Sequence, residues 1–157
     1  MAVWDNFKMI SAEAVKKLRE KTGASMMECK NALEGSGGDE AAAEEILRKR
    51  GAEIADKKSE RQTKSGLISS YLHSNQKIGV LLQLDCETDF VAKNEIFKEL
   101  SHEICLHIAA VGPQNNEELL SQPFIKDPSK TVRDLIKETV GRLGENIKLN
   151  KFARFEL

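Results

Sequence analysis

The sequence predicts an α+β protein of two unequal modules: an N-terminal three-helix bundle, then a small three-stranded antiparallel sheet packed with helices. Three observations carry that prediction. Apolar residues recur at helical spacing in short segments before residue 52, each bounded by capping residues and glycine. A charged stretch over 53–65 then breaks the pattern. Beyond it, Ile78, Val80, Leu82, Leu84 and Cys86 alternate as one apolar face of a strand. The expected organisation is a helical domain over 1–52, a linker over 53–65 and an α+β core over 66–157. A chain of 157 residues can bury a small helical core and a modest second one.

Each element has its own local warrant. Ser11 caps a helix over 11–21 with Ala14, Val15 and Leu18 inward, Ile10 placed to staple onto Val15, and Gly23 as its stop. Ser25-Met26-Met27-Glu28 is a capping box for a second helix that carries Cys29, Ala32 and Leu33 and ends in Gly35-Ser36-Gly37-Gly38. Asp39 caps a third, with Ala42, Ala43, Ile46 and Leu47 inward and Gly51 as its stop. Residues 52–64 offer few core candidates and read as linker, with frayed helix at its start. Leu67–Leu72 and Lys77–Cys86 pair as a hairpin around His73-Ser74-Asn75-Gln76, where Asn75 is expected at positive φ. From Asn94 to Val111, Ile96, Phe97, Leu100, Ile104, Ile108 and Val111 recur at helical spacing until Gly112-Pro113. After a polar stretch, Thr131–Leu143 is a further amphipathic helix closed by Gly144. Ile147 and Leu149 alternate in a last strand over 146–155, but the phase slips at Phe152 and Phe155. That slip predicts a bulge or a strand buried on both faces.

Several function classes fall away. Charged residues make up 31% of the chain yet nearly cancel to −1, so no global field draws it to nucleic acid or to an anionic membrane. Cys29, Cys86 and Cys105 are odd in number and lack a Cys-x-x-Cys spacing, which argues for reduced thiols and a cytosolic, cytoplasmic setting. Val3, Trp4, Phe7, Met9 and Ile10 are too broken by polar neighbours for a signal-peptide core, and no later run approaches a membrane span. His102 and His107 lie five apart, roughly 500 degrees of helical rotation, so they do not share a face as a metal pair would; one is expected in solvent, the other beside the core. Cys86 lies on an apolar strand face and is expected to be an inert thiol with a raised pKa. There is no phosphate-cradling glycine motif, and Gly35-Ser36-Gly37-Gly38 lacks the lysine and preceding strand of one. Arg48, Lys49, Arg50, Lys57, Lys58, Arg61 and Lys64 are interleaved with Glu53, Asp56 and Glu60, the pattern of a solvated helix face. No covalent chemistry, cofactor or metal is implied.

What remains is the run Asp85-Cys86-Glu87-Thr88-Asp89-Phe90-Val91-Ala92-Lys93-Asn94. It places a carboxylate beside a large aromatic where an apolar strand gives out and before the next helical pattern starts, so Thr88, Asp89, Phe90 and Val91 form a corner. Phe90 there is a core plug or a wedge for a partner, and the residues alone favour the plug. Met26 and Met27, with Lys30 one turn on, present a similar choice between core and adaptable binding surface.

This run, together with Thr22-Gly23-Ala24-Ser25-Met26-Met27-Glu28-Cys29-Lys30-Asn31-Ala32-Leu33, resembles the bacterial elongation factor Ts family. The likeness continues through Tyr71-Leu72-His73-Ser74-Asn75, Leu143-Gly144-Glu145-Asn146-Ile147 and the terminal Phe152-Ala153-Arg154-Phe155-Glu156-Leu157, in the family's order. The resemblance implies a ubiquitin-associated-like helical domain and a dimerisation-type core. It also implies guanine nucleotide exchange on elongation factor Tu, without covalent chemistry. Thr88, Asp89, Phe90 and Val91 would disturb the partner's Mg2+ and phosphate site, while Met26, Met27 and Lys30 would anchor its nucleotide domain. Between Val111 and Pro123 the chain is shorter than the family's usual helical insertion. Its three strands would then have helices for one face only, so a non-covalent homodimer is expected; Ala153 stands where some short members carry a cysteine. The alternative cover is the N-terminal segment with Trp4 and Phe7, or the linker. Rival readings are a ubiquitin-associated-like binding adaptor and a ribosome- or RNA-associated protein using Arg48–Lys64.

Overall fold

Local capping chemistry starts the helical unit. A computed structural model describes residues 9–157, which divide into two compact units after Gly51. In the first unit, the Ser11 side chain accepts from Ala14 N and opens α1 (Ala12–Thr22), and Gly23 closes it at φ 70°. The reciprocal box of Ser25 and Glu28 opens α2 (Met26–Gly35). Asp39 Oδ1 accepts from Ala42 N at 2.8 Å and opens α3 (Glu40–Lys58). Val15, Leu18, Cys29, Ala32, Leu33 and Ala43 form the core, with Ile10 and Leu47 at its margin. Ala42 and Ile46, expected inward, are exposed, because α3 turns Ala43 and Leu47 to the core instead. Val3, Trp4 and Phe7 lie outside the described residues.

Gly51 does not stop the third helix. A glycine inside a helix costs about 1 kcal/mol, and here later contacts outweigh it. Ala55 is buried in the second unit's core, Asp56 pairs with Lys137 at 2.8 Å, and Lys58 Nζ donates to the carbonyl of Gly144. Helix therefore replaces the first half of the expected linker over 53–65.

The second unit contains β1 (Ser65–Leu72), β2 (Ile78–Cys86), α4 (Asp89–Ala92), α5 (Glu95–Val111), α6 (Asn116–Ser121), β3 (Pro123–Phe124), β4 (Asp127–Thr131), α7 (Val132–Leu143) and β5 (Ile147–Glu156). Its main sheet has the order β1-β2-β5, antiparallel throughout, with the apolar face of β2 at the centre. In the hairpin turn Gln76, not Asn75, takes positive φ, at 58°. Asn75 contributes its side chain instead, since Oδ1 accepts from Lys77 N at 2.9 Å. The polar stretch after Gly112 folds into α6 and a small β3–β4 hairpin that the sequence pattern did not reveal.

Leu82, Leu84, Phe97, Ile104, Ile108, Val132 and Val140 join sheet and helices in one core. The register of β5 shifts opposite Gln83 and Leu84, so that Leu84 faces Leu149 while Gln83 faces Lys151. This bulge at Asn150 brings Ile147, Leu149 and Phe152 to the helix-covered side, leaving Phe155 on the other. The bulge expectation therefore holds, and Phe152 packs against the core.

Candidate functional site

The corner forms where β2 runs out of ladder. Its last pairs are Asp85 with Lys148 and Cys86 with Ile147, after which the chain turns away from the sheet. Thr88 caps α4, its Oγ1 accepting from Val91 N at 3.3 Å, and Asn94 caps α5, its Oδ1 accepting from Ile96 N at 2.8 Å. Between these caps α4 inserts its second flank into the core: Val91 is 4% exposed and Ala92 is buried. Phe90 points the other way and is 83% exposed. The plug reading favoured by the residues alone is overturned. Burial of Val91 uses the inward face of this single turn, so the adjacent ring has solvent as its only outlet.

Asp89 is also exposed and pairs with Lys93 at 2.7 Å; their hydrogen bond holds the Lys93 ammonium above its ordinary pKa. Solvent screens an exposed pair of this kind, so it holds Asp89 only weakly and leaves it free to meet another cation. Thr88 is exposed as well, whereas Val91 anchors the corner from beneath and offers no surface.

Behind the corner, two carboxylates grip backbone. Glu145 Oε2 accepts from the N–H groups of Glu87 (3.1 Å) and Thr88 (2.9 Å), and Oε1 accepts from Thr88 Oγ1 at 2.6 Å. Glu87 Oε1 in return accepts from Asn146 N at 2.8 Å, with Arg61 3.7 Å from its other oxygen. The buried Asn146 amide donates to the carbonyls of Ser59 (3.2 Å) and Arg61 (2.8 Å). Close by, Cys86 Sγ donates to Thr88 O at 3.2 Å; burial, and then the charge of Glu145, push its thiol up to about 11. It is the inert thiol the strand pattern predicted.

On the helical unit, Met26, Met27 and Lys30 are exposed along α2, while Cys29, Ala32 and Leu33 of the same helix are buried. Met27 is 66% exposed, and Lys30 lies 3.8 Å from Glu34 in an exposed pair. Their lack of burial removes the core reading.

The family model described as Elongation factor TS matches residues 87–157, from the corner to the C-terminus. Elongation factor Ts of Thermodesulfovibrio yellowstonii is 43% identical, over 94% of this chain and 96% of that one. That of Methylacidiphilum infernorum is 43% identical over 94% and 95%.

The chain belongs to the elongation factor Ts family.

Membership makes it a translation elongation factor, a component of protein biosynthesis. Elongation factor Ts of Aquifex aeolicus, 47% identical over 94% of this chain, has only 52% of its own length matched. The match to the Thermodesulfovibrio yellowstonii relative spans 192 positions, so that relative carries positions that this chain of 157 residues lacks. Nothing in the sequence pattern gives Gly144-Glu145-Asn146 a task at the corner. A glutamate directly after a helix-ending glycine and another directly after a strand stand out locally, but no local signal pairs them across 58 positions. Elsewhere, His107 is buried and His102 exposed, as the helical phase predicted. Among the described residues there is no cluster fit to hold a metal ion, and no helix is long and apolar enough to cross a membrane.

Proposed function

We propose that this chain binds elongation factor Tu in its GDP form and promotes GDP release, acting as a guanine nucleotide exchange factor in the cytoplasm. The observation that carries this reading is the exposed Phe90 ring, held out by a turn whose neighbours Val91 and Ala92 are buried. Burying such a ring in a partner is worth roughly 1.5–3 kcal/mol. Exchange itself is linkage: a factor that binds the nucleotide-free partner better than the GDP form weakens GDP by the same free energy, about 1.4 kcal/mol per tenfold. One phenyl ring can bias a switch region but falls short of displacing GDP alone. Asp89 adds a negative charge where Mg2+ and phosphate charges balance, and Thr88 fixes the turn. Val91 acts from below as anchor. The helical domain, through Met26, Met27 and Lys30, holds the partner's nucleotide domain with soft thioethers and one cation. The reaction needs no cofactor, no covalent step and no direct contact with nucleic acid. The core domain also pairs non-covalently with a second copy through the uncovered sheet face.

The test is release of labelled GDP from elongation factor Tu with and without the protein. Wild type should accelerate release, and Phe90→Ala should lower the acceleration by about tenfold or more. Equal rates for the two proteins would remove the wedge.

A further inference from the structure

Every backbone N–H leaving the end of a sheet needs a new acceptor, and at this corner the acceptor is a side chain from another strand's root. The β2–β5 ladder ends at Cys86 and Ile147. One step further, the place of a ladder carbonyl is taken by the Glu145 carboxylate, which receives both the Glu87 and Thr88 N–H groups. From the opposite side Glu87 receives the Asn146 N–H. The two strands thus stay joined past their last residue pair while the chain already turns away from the sheet. A four-residue helical turn such as α4 cannot hold itself, because so short a segment does not repay its nucleation. Its orientation must come from its two fixed ends, Thr88 before it and the buried Val91 and Ala92 within it. Thr88 is fixed by Glu145 through three hydrogen-bond donors on two residues, including its own hydroxyl at 2.6 Å.

We infer that Glu145 and Glu87 form a reciprocal carboxylate clasp that presets the direction of Phe90, and that Glu145 is a positioning residue for exchange, acting through Phe90. This rests on the exchange reading above. A preset corner spends none of its contact energy on ordering itself when it meets the partner, so loss of the clasp should reduce the effect of the bound factor more than its affinity. Affinity is held largely by contacts elsewhere, including those assigned to α2.

The test uses full-length protein with Glu145→Ala, Phe90→Ala and the double substitution, titrated into elongation factor Tu carrying labelled GDP. Glu145→Ala should lower the maximal release rate by about tenfold while the half-saturating concentration changes far less. In the Phe90→Ala background it should cost nothing further. A full maximal rate for Glu145→Ala, or losses that simply multiply in the double variant, would overturn the proposal and leave Glu145 as ordinary sheet closure. If Glu145→Ala does not fold, Glu145→Met decides in the same cycle, since it keeps the length of the side chain and removes both acceptors. Amide hydrogen exchange separates the clasp from the exchange reading: Glu87 and Thr88 N–H should be protected in wild type and unprotected in Glu145→Met. Equal protection in both overturns the clasp whatever the GDP assay reads, whereas wild type failing to release GDP sinks the exchange reading and, with it, any role for the clasp in exchange.

Discussion

Adjacent residues at the corner divide their labour, and that division can be measured. Phe90 is 83% exposed and Val91 4% exposed, so the larger side chain matters less to folding. Phe90→Ala should change unfolding free energy by under about 0.5 kcal/mol, as surface substitutions do, whereas Val91→Ala should cost about 1–3 kcal/mol through lost burial and a cavity. Denaturant unfolding followed by circular dichroism checks both, and a large loss for Phe90→Ala would mean that the ring packs inward in solution. The sequence could locate this corner because strand alternation and helix caps are local signals. It could not say which way Phe90 points, since that depends on which neighbour wins the core. Glu145 was beyond reach for a related reason: its partner Glu87 lies 58 positions away, and no periodicity links a carboxylate to a backbone N–H at that distance.

Among the elements, those with their own caps were legible and those stabilised from afar were not. α1, α2 and α7 start at Ser11, Ser25 and Thr131, and α1 and α7 stop at Gly23 and Gly144, because capping is chemistry within one turn. α3 passes Gly51 because Ala55, Asp56 and Lys58 find partners in the second unit, which local composition does not encode. The β3–β4 hairpin is fixed in a similarly remote way. His107, buried on α5, uses Nε2–H to reach Gln122 Oε1 at 2.9 Å, accepts the Ile125 N–H at Nδ1 (3.3 Å) and stacks on Phe124. Both ring nitrogens are engaged in a way that only neutral imidazole permits. Burial accordingly lowers the His107 pKa, with Gln122 opposing. A group depressed in the folded state contributes stability above its unfolded value, near 6.5, and that contribution is lost as pH falls through the folded value. The hairpin should therefore loosen as pH drops below about 6.5, seen as a falling protection factor of the Ile125 amide once the intrinsic pH dependence of exchange is removed, and His107→Gln should flatten that response. An Ile125 protection factor indifferent to pH below this value would show that Nδ1 is not its acceptor.

For the whole molecule the open question is what covers the second face of the sheet. On that face Leu72, Gly79 and Phe155 lie in one row, and Ser70, Leu81 and Ala153 in the next. Leu72, Leu81 and Phe155 are exposed, Phe155 to 73%, and Ile68 adds a further apolar side chain beyond them. The helices of the second unit bury the opposite face, with β2 contributing Val80, Leu82, Leu84 and Cys86 there. A contiguous apolar stripe of this kind costs solubility unless something covers it. A second copy is the simplest cover, because a two-fold axis lets one stripe serve both sides and lets Phe155 of each chain pack against the other's Leu81 row. Gln83 and Lys151, which continue the row that Ile68 begins, then fall toward the rim, where their polar groups would set register. With a net charge of only −1 on each chain, electrostatic repulsion does little to oppose pairing. All three cysteines are buried, and Ala153 offers no thiol on this face, so pairing through it would be non-covalent and indifferent to reductant. Sedimentation equilibrium at tens of micromolar, about the range such a patch requires, should give twice the chain mass of 17.5 kDa, with and without reductant. Phe155→Asp, which places a carboxylate in the middle of the stripe, should return the protein to monomer without unfolding it. A single 17.5 kDa species in the unsubstituted protein would reject the pair and point to cover from within the same chain.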